Sequence, residues 1–256
     1  MSTVLKACEV TKRFSGIVAL DDVSIEVNEG ERVGLIGPNG AGKTTFFNCV
    51  LGILPIDAGQ VEVAGKDVSR LRVSQRARLG IGRTFQRIEL FPDSTVRDHL
   101  FIAERIRRGQ GRLWKDLIGL GRPRPEELAR CDEVLELLGL QVLAGEPIER
   151  LSLGQCRLVE VGRALMTDPK VLLLDEPSSG LDRSESTTLA QTLRAVQAEK
   201  GFAILLVEHD VELVASFTTR CYVLDFGSLL IEGPSHEVLA SPEVRSAYLG
   251  DLEQAG

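Results

Sequence analysis

The fold of this chain is decided by one short stretch of sequence, Gly37-Pro38-Asn39-Gly40-Ala41-Gly42-Lys43-Thr44. Its glycine and lysine spacing is that of a phosphate-binding loop, and it lies between an apolar run and a predicted helix over residues 43–51. Glycines let the backbone wrap around an anion with its amides pointing inward, and the helix N-terminus adds partial positive charge. The pattern predicts that Lys43 binds the β- and γ-phosphates of a nucleotide and that the Thr44 hydroxyl binds Mg²⁺.

Two carboxylates follow a second apolar run, Val171–Leu174. Such a run is typical of a strand buried on both faces, and Asp175 and Glu176 come directly after it. In a parallel sheet, ligands bind at the carboxyl ends of the strands. We therefore expect Asp175 to assist Mg²⁺ binding, directly or through a water, and Glu176 to accept a proton from an attacking water. The alternative is a solvated pair in a loop, and the phosphate loop in the same chain argues against it.

Predicted strands and helices alternate along the chain, except in its middle. We predict strands at 3–10, 20–27, 60–63, 171–174, 203–207 and 221–225. We predict helices at 43–51, 96–106, 126–138, 155–166, 184–199 and 210–216, and two short helices after residue 234. This alternation indicates an α/β fold with a mostly parallel sheet covered by helices. Residues 90 to 150 lack β-branched strands and are predicted to form an inserted helical region, with an amphipathic piece around Trp114.

The composition is that of an ordinary globular protein, with 43% hydrophobic and 26% charged residues. Its net charge of −7 argues against a protein that binds nucleic acid through a basic surface. No apolar run approaches the roughly 20 residues of a membrane-spanning helix, and residues 1–11 lack the apolar core of a secretion signal. The five cysteines include no Cys-x-x-Cys pair, which favours buried thiols in a cytosolic protein over a zinc ribbon or a disulfide framework.

A third stretch, Leu151-Ser152-Leu153-Gly154-Gln155, by itself indicates only a helix that starts at the cap residue Ser152. Together with the other motifs, it makes the chain resemble the nucleotide-binding subunit of ABC transporters over nearly its whole length. The stretch resembles that family's signature motif Leu-Ser-Gly-Gly-Gln, with Leu153 in place of the first glycine. The remaining motifs occur in the family's order: Gln86 as the Q-loop glutamine, Val171–Asp175 as Walker B, Glu176 as the catalytic glutamate, Ser179–Asp182 as the D-loop and His209 as the switch histidine.

The resemblance implies a role for each matched residue. It implies catalytic roles for Glu176, His209 and Gln86, and a Mg²⁺ site formed by Thr44, Gln86 and Asp175. It also implies that ATP is held between the phosphate loop of one subunit and the signature helix of a second subunit, stacked head to tail. The expected ATP contacts are Phe14 on the adenine, Gly37, Pro38, Asn39, Gly40, Ala41, Gly42, Lys43, Thr44 and Thr45 on the phosphates, and Ser152, Gly154 and Gln155 from the second subunit.

The same resemblance implies a P-loop NTPase (RecA-like) fold in three parts. These are a core with an N-terminal antiparallel β subdomain (1–86 and 158–233), a helical subdomain that carries the signature motif (87–157) and a C-terminal tail (234–256). The helical subdomain is expected to receive a helix of a membrane permease subunit on an apolar patch around Leu90, Phe91 and Leu100. We therefore expect a peripheral protein on the cytoplasmic face of the plasma membrane.

Local strings narrow the expected function. Phe85-Gln86 with Leu90-Phe91, Val207–Asp210, and Pro242–Val244 with Tyr248–Gly250 resemble the ATPases of bacterial importers for branched-chain amino acids, a group that also handles urea and short amides. We expect an ATP-hydrolysing subunit that pairs with a second copy or a paralogue and works with a solute-binding protein.

Three alternative functions are the ATPase of an exporter or lipid transporter, a non-transport ATPase that acts on DNA or ribosomes, and a nucleotide-binding regulator without turnover. Glu176 and His209 argue against the regulator. The single ATPase cassette, the lack of a heptad run and the acidic balance argue against the non-transport class.

Overall fold

The computed structural model describes residues 2–84, 88–108, 124–244 and 246–247. The chain divides into two compact units. The sheet unit consists of Met1–Ile81, Lys170–Glu176 and Gly201–Gly256, and the helical unit consists of Gly82–Pro169 and Pro177–Lys200. The phosphate loop therefore belongs to the sheet unit, and the signature stretch belongs to the helical unit.

The described residues contain ten strands and, besides helical residues at 242–244 and 246–247, eight α-helices. The strands are β1 Thr3–Phe14, β2 Ile17–Asn28, β3 Arg32–Ile36, β4 Ala58–Val63, β5 Lys66–Asp67, β6 Ile81–Arg83, β7 Val171–Asp175, β8 Ala203–Val207, β9 Arg220–Asp225 and β10 Ser228–Pro234. The helices are α1 Lys43–Leu51, α2 Val73–Arg78, α3 Val96–Arg107, α4 Pro125–Leu137, α5 Leu153–Leu165, α6 Arg183–Lys200, α7 Val211–Phe217 and α8 Ser235–Ala240.

The N-terminal strands form an antiparallel sheet in the order β2-β1-β4-β5. In β2, Val23, Ile25 and Val27 alternate with more exposed residues and are fully buried, which is the period of a strand with one face in the core. Leu5 of β1 pairs with Val27, and it pairs with Val63 of β4 on its other side. The predicted antiparallel β subdomain is therefore confirmed.

The second sheet has the order β10-β9-β3-β8-β7-β6. Strands β9, β3, β8 and β7 run parallel to their neighbours, and β10 pairs antiparallel with β9 at the edge. Every residue of β7 and β8 is buried, as expected for central strands covered on both faces. The predicted mostly parallel sheet is confirmed, and its apolar strands carry candidate functional residues at their carboxyl ends.

Helix α1 and both sheets contribute to the core of the sheet unit. Phe46, Phe47 and Val50 of α1 are fully buried in the cluster that also contains residues of β1, β3 and β7. Burial raises the pKa of the Cys49 thiol in the same helix to about 11, so it stays a neutral thiol. All five cysteines are free; four are buried, and Cys8 is half-buried.

The helical unit packs α3, α4, α5 and α6 on one another. Val96 and Leu100 lie one turn apart on α3, and both are fully buried. The prediction that Leu100 belongs to an exposed apolar patch is therefore wrong, because this face of α3 is packed inside the helical unit. Leu90 is half-buried and Phe91 is exposed, so the patch is reduced to these two residues.

Local sequence explains where several helices begin. The Thr95 hydroxyl accepts the Asp98 N–H at 3.2 Å before α3, and the Asp210 carboxylate accepts the Leu213 N–H at 3.0 Å before α7. Pro125 occupies the first turn of α4, where its missing N–H costs nothing.

The predicted helices are confirmed to within two or three residues, and the helix expected after α8 is present at residues 242–244 and 246–247. Strands β5, β6 and β10 and the short α2 are not among the predicted elements, and the piece around Trp114 lies outside the described residues. None of the helices that the structure describes is long and apolar enough to cross a bilayer.

The carboxyl end of α1 is closed by the side chain of Arg76 from α2, which is only 2% exposed. Its guanidinium donates to the carbonyl oxygens of Cys49 and Val50, both at 2.7 Å, and to those of Leu71 and Ser69 at 3.0 and 2.9 Å. The last carbonyls of a helix lack partners within the helix and carry partial negative charge. Arg76 therefore ties α1, which begins at the phosphate loop, to the following segment of the sheet unit.

We predict that Arg76→Met lowers the free energy of unfolding by about 3 kcal/mol, because buried carbonyl oxygens lose charge-assisted hydrogen bonds. Urea unfolding measures the change. The control is Arg78→Met on the same helix, where the arginine is exposed. Equal unfolding midpoints for the two variants contradict the assignment.

Candidate functional site

The phosphate loop joins the end of β3 to the start of α1 and requires glycine at two positions. A Cβ on Gly37 would lie 2.1 Å from the carbonyl oxygen of Leu224, and φ there is +148°. A Cβ on Gly42 would lie 2.7 Å from the carbonyl oxygen of Ala19, and φ there is +104°. Both positions combine a left-handed backbone with close approach of another strand, so the glycine pattern has a steric cause.

Lys43 lies inside this loop. It is 5% exposed, and its Nζ donates to the carbonyl oxygens of Gly37 at 2.6 Å and Pro38 at 2.8 Å. The loop thus closes around a desolvated ammonium at the N-terminus of α1, where the helix dipole adds positive potential. The next two residues present hydroxyls at the surface of the loop, since Thr44 is exposed and Thr45 is half-buried.

The ends of β7 and β8 bring three further candidate residues to the same edge of the sheet. Asp175 pairs with Val207 in the parallel ladder, and the Glu176 N–H donates to the Val207 carbonyl at 2.9 Å. β8 is also the neighbour of β3, which leads into the phosphate loop. Parallel strands end at one edge, so Asp175, Glu176 and His209 follow strands that terminate on the side where the phosphate loop begins.

Glu176 and His209 are in direct contact. Nε2 of His209 lies 2.6 Å from Oε1 of Glu176, and the two side chains are 42% and 18% exposed. With its proton on Nε2, the imidazole donates to the carboxylate and fixes its orientation. Glu176 also has φ +47°, a left-handed conformation that is strained for a residue with a Cβ. The contact with His209 and the left-handed backbone together determine where the Glu176 carboxylate lies at the edge of the sheet.

Phe14 ends β1 with its ring 41% exposed. The Nζ of Lys12 lies 5.3 Å from the ring centroid and 3.1 Å from a carboxylate oxygen of Asp57. The second oxygen of Asp57 accepts the Arg13 N–H at 2.6 Å. Phe14 is thus held from one side by a cation and presents exposed aromatic surface, which suits stacking on a flat ring system.

The signature stretch forms the N-terminus of α5. The Ser152 hydroxyl accepts the Gln155 N–H at 3.3 Å, and the Gln155 side chain accepts the Ser152 N–H at 2.9 Å, which forms a capping box. The Gly154 N–H donates to the Glu185 carboxylate at 3.3 Å. Leu153 occupies the first turn with its side chain 39% exposed, so leucine is accommodated there as an ordinary helical residue. The N-terminus of α5 thus donates an amide N–H to an anionic side chain, the Glu185 carboxylate.

The structure gathers most predicted site residues into two groups. The sheet unit holds the phosphate loop, Phe14, Asp175, Glu176 and His209, and the helical unit holds Ser152, Gly154 and Gln155. Gln86 lies outside the described residues.

The Glu176–His209 contact and the position of Lys12 beneath Phe14 are seen only in the structure. The signal for the first was present, since both residues follow apolar strands that the alternation pattern makes parallel neighbours. No sequence signal places Lys12 over an aromatic ring.

The residues available for a metal fit Mg²⁺. Thr44 offers an exposed hydroxyl and Asp175 a carboxylate, and hard oxygen donors of this kind are what Mg²⁺ prefers. Few protein ligands are expected at such a site, because Mg²⁺ usually keeps waters and binds the phosphates of its substrate.

Comparison with known proteins gives a consistent result. The family model described as ABC transporter matches residues 20–179, which is more than half of the chain. A relative in Salmonella typhimurium, the high-affinity branched-chain amino acid transport ATP-binding protein LivG, is 37% identical over 93% of this chain and 94% of its own length. The transport ATP-binding protein BraF of Pseudomonas aeruginosa is 34% identical over 97% of this chain and 98% of its own length.

Solved structures agree with the sequence relatives. The ADP conformation of an ATP-binding cassette from an ABC transporter has a TM-score of 0.88 and 33% identity, covering 98% of this chain and all of its own. A dimeric cassette in a post-hydrolysis state, bound to ADP and phosphate, has a TM-score of 0.73 and 27% identity, covering 90% of this chain and 98% of its own.

We predict that Glu176→Gln keeps ATP binding and lowers ATP turnover by about 10²–10⁴-fold, because an amide cannot accept the proton of the attacking water. Phosphate release and equilibrium nucleotide binding measure the two effects. Glu212→Gln, which changes an exposed glutamate on α7, is the control and is expected to turn over at the normal rate. Normal turnover by Glu176→Gln contradicts the assigned role.

Proposed function

This chain belongs to the ABC transporter family, and from that premise we propose that it is the ATP-hydrolysing subunit of an importer for branched-chain amino acids. The observation that carries the hydrolytic part is the convergence of the phosphate loop, Asp175 and the Glu176–His209 pair at one edge of the parallel sheet. Two relatives carry the transport part, since LivG and BraF are branched-chain amino acid transport ATP-binding proteins.

The chemistry follows from what these residues do to phosphates and water. Lys43 exchanges its two carbonyl partners for phosphate oxygens, and the loop amides and the dipole of α1 stabilise the negative charge there. Glu176 takes a proton from the water that attacks the γ-phosphate, while His209 holds the carboxylate in place through the 2.6 Å contact. The water oxygen bonds to the γ-phosphorus as the bond from that phosphorus to the bridging oxygen breaks. ADP leaves with the bridging oxygen, inorganic phosphate follows, and Glu176 returns its proton to solvent.

Mg²⁺ neutralises phosphate charge and orients the γ-phosphate when it is bound. In this chain we assign its binding to the Thr44 hydroxyl and to Asp175, with Gln86 as the further ligand expected from the family. Asp175 is 4% exposed at the end of β7, so its position is fixed by the sheet.

We assign the second half of each ATP site to another copy or a paralogue. The N-terminus of α5 offers the Ser152 hydroxyl and the Gly154 amide, and on binding a phosphate the amide would exchange its bond to the Glu185 carboxylate for one to a phosphate oxygen. One of the similar solved structures is a dimeric cassette with ADP and phosphate, which supports a two-subunit arrangement for this chain. Leu153 leaves Ser152 at the N-cap and Gly154 in the first turn of α5, and we expect its replacement of the usual glycine to be tolerated.

Membrane partners are assigned to the helical subdomain that we place at residues 87–157, between the core residues 1–86 and 158–233. Phe91 is 49% exposed, although its N–H donates to Nε2 of His99 at 2.8 Å and its ring stacks on that imidazole at 5.7 Å. An aromatic side chain fixed from behind and exposed in front is suited to anchor a partner helix. The chain then sits at the cytoplasmic face of the membrane as a peripheral subunit.

The direct test is co-purification with the membrane subunits, followed by ATPase measurement in the presence of a solute-binding protein. Leucine, isoleucine or valine is expected to stimulate phosphate release, and an unrelated sugar is the control. Stimulation by an exported lipid instead favours the exporter alternative and removes the importer assignment.

We predict that Lys43→Ala and Ser152→Ala subunits, each nearly inactive alone, recover part of the ATPase activity when they are mixed. In the mixed dimer, one site keeps Lys43 from one subunit and Ser152 from the other, and the second site has lost both. Phosphate release across mixing ratios measures the recovery. Activity that never exceeds the sum of the separate variants contradicts sharing of sites between subunits.

We predict that Phe91→Asp abolishes uptake and co-purification with the membrane subunits, because the contact would bury an unpaired charge at a cost of several kcal/mol. ATP hydrolysis by the isolated chain is expected to persist. Val142→Asp, at a position in the helical unit that is 88% exposed, is the matched control. Normal uptake by Phe91→Asp places the docking surface elsewhere.

A further inference from the structure

Helix α5 contains a buried ion pair that takes no part in its N-terminal capping box and does not belong to its apolar face. Arg157 and Glu160 are 5% and 4% exposed, and an Nη atom of Arg157 donates to the Glu160 carboxylate at 3.1 Å. Burial raises the pKa of the Glu160 carboxyl, which shows how far this group is removed from water. Burying such a pair costs desolvation free energy that an apolar pair of similar size avoids, so packing alone does not account for it.

Each member of the pair also binds the backbone of a loop in the helical unit. The Glu160 carboxylate accepts the Glu89 N–H at 3.3 Å, and Arg157 donates to the Ser179 carbonyl at 3.4 Å. Arg163, one turn further along α5, donates to the Glu89 carbonyl at 2.7 Å. Both backbone polar groups of Glu89, its N–H and its carbonyl, are therefore held by side chains of the same helix.

The loops that contain Glu89 and Ser179 each follow a candidate catalytic residue in the sequence. Glu89 comes three residues after Gln86, and Ser179 comes three residues after Glu176. Because the contacts are made to backbone atoms, they fix the path of each loop whatever side chains it carries. Helix α5 begins at the signature stretch, and Glu160 lies about 12 Å along it from Ser152 at 1.5 Å per residue.

We propose that Arg157 and Glu160 are a positioning pair that couples the signature end of α5 to the segment after Gln86 and to the segment after Glu176. This inference rests on the proposed function, in which the signature end meets the γ-phosphate of ATP. The part of α5 between Ser152 and Glu160 spans just over two turns and moves as a rigid body. A displacement of its N-terminus therefore displaces Arg157 and Glu160 by a similar amount. Glu160 passes it to Glu89 and onward to Phe91, and Arg157 passes it to the D-loop residue Ser179.

The test is hydrogen–deuterium exchange of the full-length chain with and without MgATP, read over residues 37–47, 88–94 and 177–182. In the wild type, MgATP is expected to change exchange in all three segments. In Glu160→Ala the change at 88–94 is lost, while the changes at 37–47 and 177–182 remain. In Arg157→Lys, one ammonium replaces the fork that reaches two partners, so the change at 177–182 is lost and that at 88–94 remains.

Kinetics separate positioning from binding. Glu160→Ala is expected to lower kcat by roughly 2- to 30-fold, the usual range for residues that couple sites, with the KM for ATP changed by less than about twofold. Glu160→Gln keeps a carbonyl oxygen for the Glu89 N–H and is expected to restore the response at 88–94. Glu146→Ala removes an exposed ion pair with Arg150 from the same unit and serves as the matched control. If Glu160→Ala does not fold, Glu160→Gln and Arg157→Lys carry the test.

A wild-type response at 88–94 in Glu160→Ala overturns the proposal, and so does an equal loss in the Glu146→Ala control. Failure of Glu160→Gln to restore the response also counts against it, since the hydrogen bond is then not the link. A wild-type chain that responds at 37–47 but not at 88–94 overturns the coupling alone. A wild-type chain with no response at 37–47 overturns the proposed function, and the coupling with it.

Discussion

The parallel pairing of β8 with both β3 and β7 is the constraint on which the rest of the site depends. This pairing brings the carboxyl ends of three strands to one edge of the sheet. The phosphate loop follows β3, Glu176 follows β7 and His209 follows β8, so the three lie after adjacent strands. The ladder continues for one bond beyond β7, from the Glu176 N–H to the Val207 carbonyl. That bond places a strained residue beside an imidazole, and the buried apolar strands make the arrangement too costly to relax.

The phosphate loop, the central strands and most helices can be predicted from the sequence, and each for a physical reason. The phosphate loop has a strict spacing because Gly37 and Gly42 meet carbonyl oxygens of other strands, and a side chain at either position has no room. The central strands were readable because residues buried on both faces must all be apolar. In the helical unit, periodicity alone gave α3 and α4 nearly to the residue.

The features that were missed depend on contacts between segments far apart in the chain. Leu100 looks like surface in a one-dimensional pattern, and only the packing of α3 on α4 and α5 shows that it is buried. In strand β10, exposed and half-buried residues alternate, and none is fully buried. An edge strand of this kind has a weak hydrophobic pattern in the sequence. The Arg157–Glu160 pair reads in sequence as an ordinary charged spacing on a helix, and its burial and its two loop partners appear only in the structure.

The most direct test of the central claim is the rate of phosphate release from MgATP by the purified wild-type chain, measured over a wide range of protein concentration. If the site at the sheet edge is completed by the signature helix of a second copy, the rate per chain rises with concentration and then levels off as dimers form. If the sheet edge does not bind and cleave ATP, no phosphate is released at any concentration. A rate per chain that is constant from the lowest concentration contradicts the shared site.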